Sequence, residues 1–62
     1  MTPKEINRCM AKVAANPQSG QEIAETLRSP RNNAVFLGNL SYIALFDTAI
    51  EFAESMTHKC DQ

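Results

Sequence analysis

The stretch NAVFLGNLSYIALFDTAIEFAESM, residues 33–56, carries most of the large apolar side chains of this 62-residue chain and decides its fold. Its apolar residues recur with helical periodicity, which predicts one long helix from about residue 33 to about residue 58. Gly38 lies inside this stretch, and glycine inside a helix costs about 1 kcal/mol relative to alanine. We expect a kink or a tight helix crossing at Gly38, since the apolar periodicity continues on both sides of it.

Two shorter helices are predicted before the long one. Thr2, Pro3 and Glu5 form a helix-start pattern, with a hydroxyl N-cap, proline at the first position and an acid at the third, so the first helix is expected over residues 3–15. A second capping-box pattern predicts a helix over residues 20–28. This helix is expected to end before Pro30, because a proline disfavours helical geometry at the residue that precedes it. The chain is therefore predicted to be all-α, with one domain over residues 1–62.

The long helix has more apolar surface than the two short helices can cover. Its apolar side chains span an arc of roughly 200° on a helical wheel, whereas packing against one side of a core needs little more than 100°. We therefore predict a homodimer in which two copies of the long helix pack antiparallel or crossed. The residues predicted at the dimer interface are Tyr42, Ile43, Leu45, Phe46, Ala49, Ile50, Phe52, Ala53 and Met56.

A second apolar surface is predicted at the start of the long helix. Phe36, Leu37, Leu40 and Ala44 project onto the side of the helix that is acidic further along. We interpret these four residues as candidates for binding a partner protein. The leading hypothesis is a small non-enzymatic regulator, inhibitor or adaptor that binds another protein and acts as a helical homodimer.

The alternative hypothesis is a dimeric DNA-binding transcriptional regulator. Residues 21–40, QEIAETLRSPRNNAVFLGNL, bear a faint resemblance to a helix-turn-helix, with Arg28, Arg31, Asn32 and Asn33 placed to contact bases and phosphates. The stretch departs from the motif because Arg28 stands at the usual turn glycine and the following helix is strongly apolar. The formal net charge of -1 also gives no general attraction to nucleic acid or to anionic membranes.

The sequence predicts neither a membrane span nor a secreted scaffold. Its longest uncharged run, residues 32–46, is shorter than the roughly 20 apolar residues that a membrane span needs. Cys9 and Cys60 are too few for a disulfide framework, and the first residues lack the basic-then-apolar pattern of a secretory signal. We therefore expect a cytoplasmic protein.

The chain offers little for catalysis or for holding a cofactor. Asp47, Glu51, Glu54 and His58 share one face of the long helix, as ligands of a metal between bundle helices would. Such sites need a matching Glu-x-x-His motif on another helix, so we predict no metal and no cofactor. With no supported nucleophile and base, and no phosphate-binding glycine loop, no enzyme activity is expected.

Overall fold

The computed structural model describes residues 2–60, and side chains are described for residues 2–58. The chain forms three α-helices: α1 over Pro3–Ala15, α2 over Gly20–Leu37 and α3 over Leu40–Cys60, with a 3₁₀ turn over Pro17–Ser19 between the first two. The predicted all-α class with three helices is confirmed. Among the described residues, no helix is both long enough and apolar enough to cross a membrane.

Helix α1 begins and ends where local signals place it. The Thr2 hydroxyl accepts a hydrogen bond from the Glu5 backbone N–H at 3.3 Å, and Pro3 occupies the first turn. The helix ends at Ala15 because Asn16, which precedes Pro17, has non-helical backbone angles, with φ -140° and ψ 85°.

Helix α2 does not end before Pro30, so the predicted boundary at residue 28 is wrong. Proline inside a helix removes one backbone hydrogen bond, but here the neighbouring turns pack against α3. Leu27 and Ala34 are buried on either side of the proline, and Arg28 and Arg31 form ion pairs with acids of α3. These tertiary contacts keep the segment helical through Leu37.

The predicted continuous helix over residues 33–58 is also wrong, because the chain leaves helical geometry at Gly38. Gly38 has φ 72° and ψ 24°, a left-handed conformation that glycine adopts without the strain of a Cβ atom. The Gly38 N–H donates to the Val35 carbonyl at 3.1 Å, and the Asn39 N–H donates to the Ala34 carbonyl at 3.0 Å. This hydrogen-bond pair is the Schellman arrangement that ends helices.

Asn39 then starts α3. Its side-chain oxygen accepts from the Tyr42 N–H at 3.4 Å, and its backbone carbonyl accepts from the Ile43 N–H at 3.0 Å. Gly38 and Asn39 together therefore end one helix and begin the next.

Helices α2 and α3 form an antiparallel hairpin, and α1 packs mainly on α3. One core cluster joins Ile6, Ala34 and Phe46, and a second joins Val13, Ala24 and Ala53 near the other end of the bundle. The order of these residues shows that α1 runs parallel to α3 and antiparallel to α2.

Gly20 lies at a close approach of α2 to α3. It is buried, and a Cβ atom at this position would overlap the Thr57 hydroxyl and the Ala53 carbonyl oxygen. The Thr57 hydroxyl lies 3.1 Å from the Ala53 carbonyl oxygen and 3.3 Å from the Pro17 carbonyl oxygen. The last turns of α3 thus contact both α2 and the turn before it.

Replacing Gly20 by alanine should destabilise the fold. The added methyl group forces α2 and α3 apart, and overpacking of this kind costs about 1 to 3 kcal/mol. Urea unfolding followed by circular dichroism measures the loss. Gly38→Asn is the control, because asparagine tolerates left-handed backbone and no atom lies within 4 Å of a Cβ there. A Gly20→Ala variant as stable as the parent would contradict this close approach.

Pro30→Ala should stabilise the protein by about 1 to 3 kcal/mol, because alanine restores a backbone N–H within helix α2. Thermal and urea unfolding both report the gain. Pro3→Ala is the matched control, since Pro3 occupies the first turn of α1, where the missing N–H breaks no intrahelical hydrogen bond. A Pro30→Ala variant less stable than the parent would contradict the expected gain.

Candidate functional site

The most distinctive surface is an exposed apolar cluster where α2 meets α3. Val35, Phe36, Leu37 and Leu40 are 50%, 87%, 69% and 79% exposed, and we call these four residues the hairpin tip. They are the large hydrophobic side chains that are exposed among residues 2–58. Large apolar side chains gathered at one place on a surface are typical of interaction sites.

The hairpin tip is exposed because α1 is too short to cover it. Ile6 of α1 packs beside Ala34 and Phe46, and only three residues of α1 precede Ile6. Helix α3 has six residues before Phe46, about 9 Å of helix, against about 4.5 Å for the start of α1. The end of the α2–α3 hairpin therefore extends beyond the third helix.

No charged residue lies in the stretch that contains the hairpin tip. Residues 32–46 include asparagine, serine and tyrosine as polar residues, but no aspartate, glutamate, lysine, arginine or histidine. When a partner covers the tip, no charged side chain of residues 32–46 has to be removed from water.

A groove lies beside the hairpin tip, and we call it the tip groove. It has a volume of about 250 Å³ between the end of α2 and the start of α3. Its walls include Leu37 of the tip, Tyr42 and the buried Phe46, with the exposed Asn33 at its edge. The tip thus combines projecting apolar side chains with a recess.

The four residues predicted to bind a partner are all exposed: Phe36, Leu37, Leu40 and Ala44. The structure places Leu37 and Leu40 on different helices, separated by the turn at Gly38, rather than on one continuous face. Val35 also belongs to this surface and was not predicted. Its position within the uncharged run 32–46 is the signal that could have identified it.

The residues predicted at the dimer interface divide into two groups. Phe46, Ala49 and Ala53 are buried within their own chain, so in this structure they present no surface to a second copy. The other six are half-buried: Tyr42, Ile43, Leu45, Ile50, Phe52 and Met56. The hairpin covers apolar surface that a continuous helix would have left open.

The residues of the DNA-binding alternative do not form a helix-turn-helix. Residues 20–37 are one helix, so the turn that the motif requires between its two helices is missing from this segment. Arg28 forms an ion pair with Glu54, and Arg31 forms one with Asp47. Asn32 and Asn33 are exposed on the same helix. Both arginines are thus engaged by acids of α3 rather than gathered into a basic patch.

The hydrogen bond and charge of Asp47 raise the pKa of Arg31. A raised folded-state pKa contributes stability below the ordinary pKa of the guanidinium, and this stability is lost only as the pH rises through the folded-state value. For arginine both values lie at strongly alkaline pH. This ion pair therefore adds no pH dependence through Arg31 near neutrality.

Among residues 2–58, the remaining polar surfaces carry no recognisable reactive arrangement. One cleft of about 550 Å³ is lined by Gln21, Ala24, Glu25, Arg28, Glu54, Thr57 and His58. It combines charges of both signs and contains the Arg28–Glu54 pair. Within the described part of the chain, no three His, Cys, Asp or Glu residues are grouped to hold a metal ion. Cys9 is half-buried on α1, and the side chain of Cys60 lies outside the described residues.

No protein-family model, curated protein or solved structure matches this chain.

Reversing one charge of the Arg31–Asp47 pair should lower stability, and reversing both should restore much of it. In Asp47→Lys the new ammonium faces the Arg31 guanidinium, whereas Arg31→Glu with Asp47→Lys recreates an opposite-charge pair. The denaturant midpoint at low salt measures both effects. Glu51→Lys, one turn further along α3, is the control for the general effect of added positive charge. Equal losses in Asp47→Lys and Glu51→Lys would contradict a specific pair.

Proposed function

We propose that this protein is a small non-enzymatic regulator, inhibitor or adaptor that binds another protein and also forms a helical homodimer. The observation that carries the proposal is the hairpin tip, where Phe36, Leu37 and Leu40 are each at least 69% exposed. A chain with so small a core has few large apolar residues, and here several of them face solvent.

The energy available at the hairpin tip is large relative to a small domain. Full burial of a large apolar side chain contributes about 1.5 to 3 kcal/mol, so covering Phe36, Leu37 and Leu40 from their observed exposure would contribute roughly 4 to 7 kcal/mol. Small proteins have total stabilities of about 5 to 15 kcal/mol. The free energy gained by covering the tip with a partner would thus be comparable to the total stability of a small protein.

The shape of the surface favours a protein over a small molecule. Pockets for small ligands are concave and enclose most of the ligand, usually with volumes of about 300 to 1,000 Å³. The hairpin tip projects from the end of the bundle, and the adjacent tip groove is only about 250 Å³ and open to solvent. Projecting apolar side chains of this kind fit a groove or flat surface of another protein.

Charged substitutions at the hairpin tip should abolish capture of the partner while the chain stays folded. Leu37→Lys places a cation at the end of α2, and Leu40→Asp places an anion at the start of α3. Each new charge therefore interacts favourably with the dipole of its helix. Tagged variants are compared with the parent in affinity capture from an extract of the native host, and circular dichroism checks folding. We expect at least about a tenfold loss of captured partner.

Thr48→Asp is the matched control, because Thr48 is exposed near the middle of α3 and away from the hairpin tip. It should capture the partner as the parent does. If Leu37→Lys and Leu40→Asp capture the same proteins as the parent, the tip is not the binding surface. If they unfold instead, these leucines belong to the core.

A further inference from the structure

We propose that a second copy of this chain covers the hairpin tip, in a two-fold contact that seats Phe36 of each copy in the tip groove of the other. The inference rests on the proposed function, since it names a partner for the same surface. It also moves the dimer contact from the middle of α3, where residues were predicted, to the turn between α2 and α3.

The distribution of charge on the molecule favours contact between two hairpin tips. A two-fold contact brings each surface against itself, so charged residues near its centre meet charges of the same sign. The outer face of α1 carries the exposed Lys4, Arg8 and Lys12, and α3 carries acids along its side facing α2. Residues 32–46, which include the hairpin tip, carry no charge. A second copy can therefore contact the hairpin tip without like-charge repulsion from residues 32–46.

The shape of the hairpin tip and the tip groove also favours a contact between two copies. A self-complementary contact needs a projection and a recess on one surface, so that each copy supplies both. Phe36 is 87% exposed, and the tip groove beside it is about 250 Å³ with Tyr42 and Phe46 in its wall. Aromatic rings pack well in edge-to-face or offset contacts. Phe36 of one copy entering this groove would contact chiefly the half-buried Tyr42 ring, since Phe46 is only 2% exposed.

The exposed apolar area of the hairpin tip is large enough for a weak dimer. The four side chains of the hairpin tip expose on the order of 400 Å² of apolar surface. Two tips that cover each other would remove about 800 Å² from water, with further area from neighbouring polar residues, which is the size of a weak and reversible interface. The half-buried Leu45, Phe52 and Met56 have less surface left to cover. The expected dimer therefore dissociates on dilution.

A tip-to-tip dimer changes how the protein would capture its partner. The second copy and the partner would compete for the same side chains, so a higher protein concentration would leave fewer tips open. Dissociation of the dimer would then precede capture.

Sedimentation equilibrium over about 1 µM to 1 mM tests the proposal with four proteins. The parent should form a dimer that dissociates within this range, and both Phe36→Lys and Asn33→Lys should weaken it at least about tenfold. The first variant removes the projection and places its charge favourably at the end of α2. The second introduces a charge at the edge of the tip groove. Thr48→Lys, on the exposed middle of α3, should dimerise as the parent does.

Backbone amide NMR shifts recorded at two protein concentrations locate the contact without a mutation. The amides that move on dilution should lie within residues 33–42. A folded parent that stays monomeric to about 1 mM would overturn the proposal. So would a dimer that Thr48→Lys disrupts and Phe36→Lys does not, since its contact would lie on α3. If the parent is a monomer and Leu37→Lys loses partner capture, the second-copy proposal is overturned, while the hairpin tip is still supported as the surface that binds the partner protein.

Discussion

The close packing of α2 on α3 is the contact on which the rest of the structure depends. Gly20 faces the Ala53 carbonyl and Thr57 with no room for a side chain, and Ala24 packs beside Ala53 further along. Small residues let two helices approach closely over a long contact, which stabilises helical segments that would be marginal alone. This contact keeps α2 helical through Pro30 and brings both arginine pairs into place. It also directs the apolar side of α3 inward, where α1 completes the core.

The same geometry accounts for the exposed hairpin tip. The turn at Gly38 reverses the chain, so the last turn of α2 and the first turn of α3 lie side by side beyond the start of α1. Polar residues there would leave the core unchanged, because the tip side chains contribute little to it. Phe36, Leu37 and Leu40 therefore point to a role outside the folding of the monomer, and that is the physical basis of the proposal that the tip binds protein.

Local signals were enough to predict α1 but not the boundary between α2 and α3. Thr2, Pro3 and Asn16–Pro17 act on neighbouring residues, so their effect can be read from the sequence. Pro30 also resembles a helix boundary, but burial of Leu27 and Ala34 keeps this segment helical, together with ion pairs to acids 16 residues from Arg31 and 26 residues from Arg28. Gly38 followed by Asn39 was readable as a helix end and a helix start. The apolar periodicity continues on both sides of Gly38 because each helix of the hairpin has an apolar side, so periodicity alone does not distinguish a hairpin from one continuous helix.

A methyl-to-aromatic NOE measurement between Ala34 and Phe46 is the most direct test of the α2–α3 hairpin. In the hairpin the two residues belong to one core cluster, and both are at most 6% exposed. In a continuous helix they would be 12 residues apart, about 18 Å along the axis. We predict a strong NOE within one chain, recorded on dilute protein with isotope filtering against contacts between copies. A folded, helical chain without this NOE would contradict the hairpin and the exposed tip that follows from it.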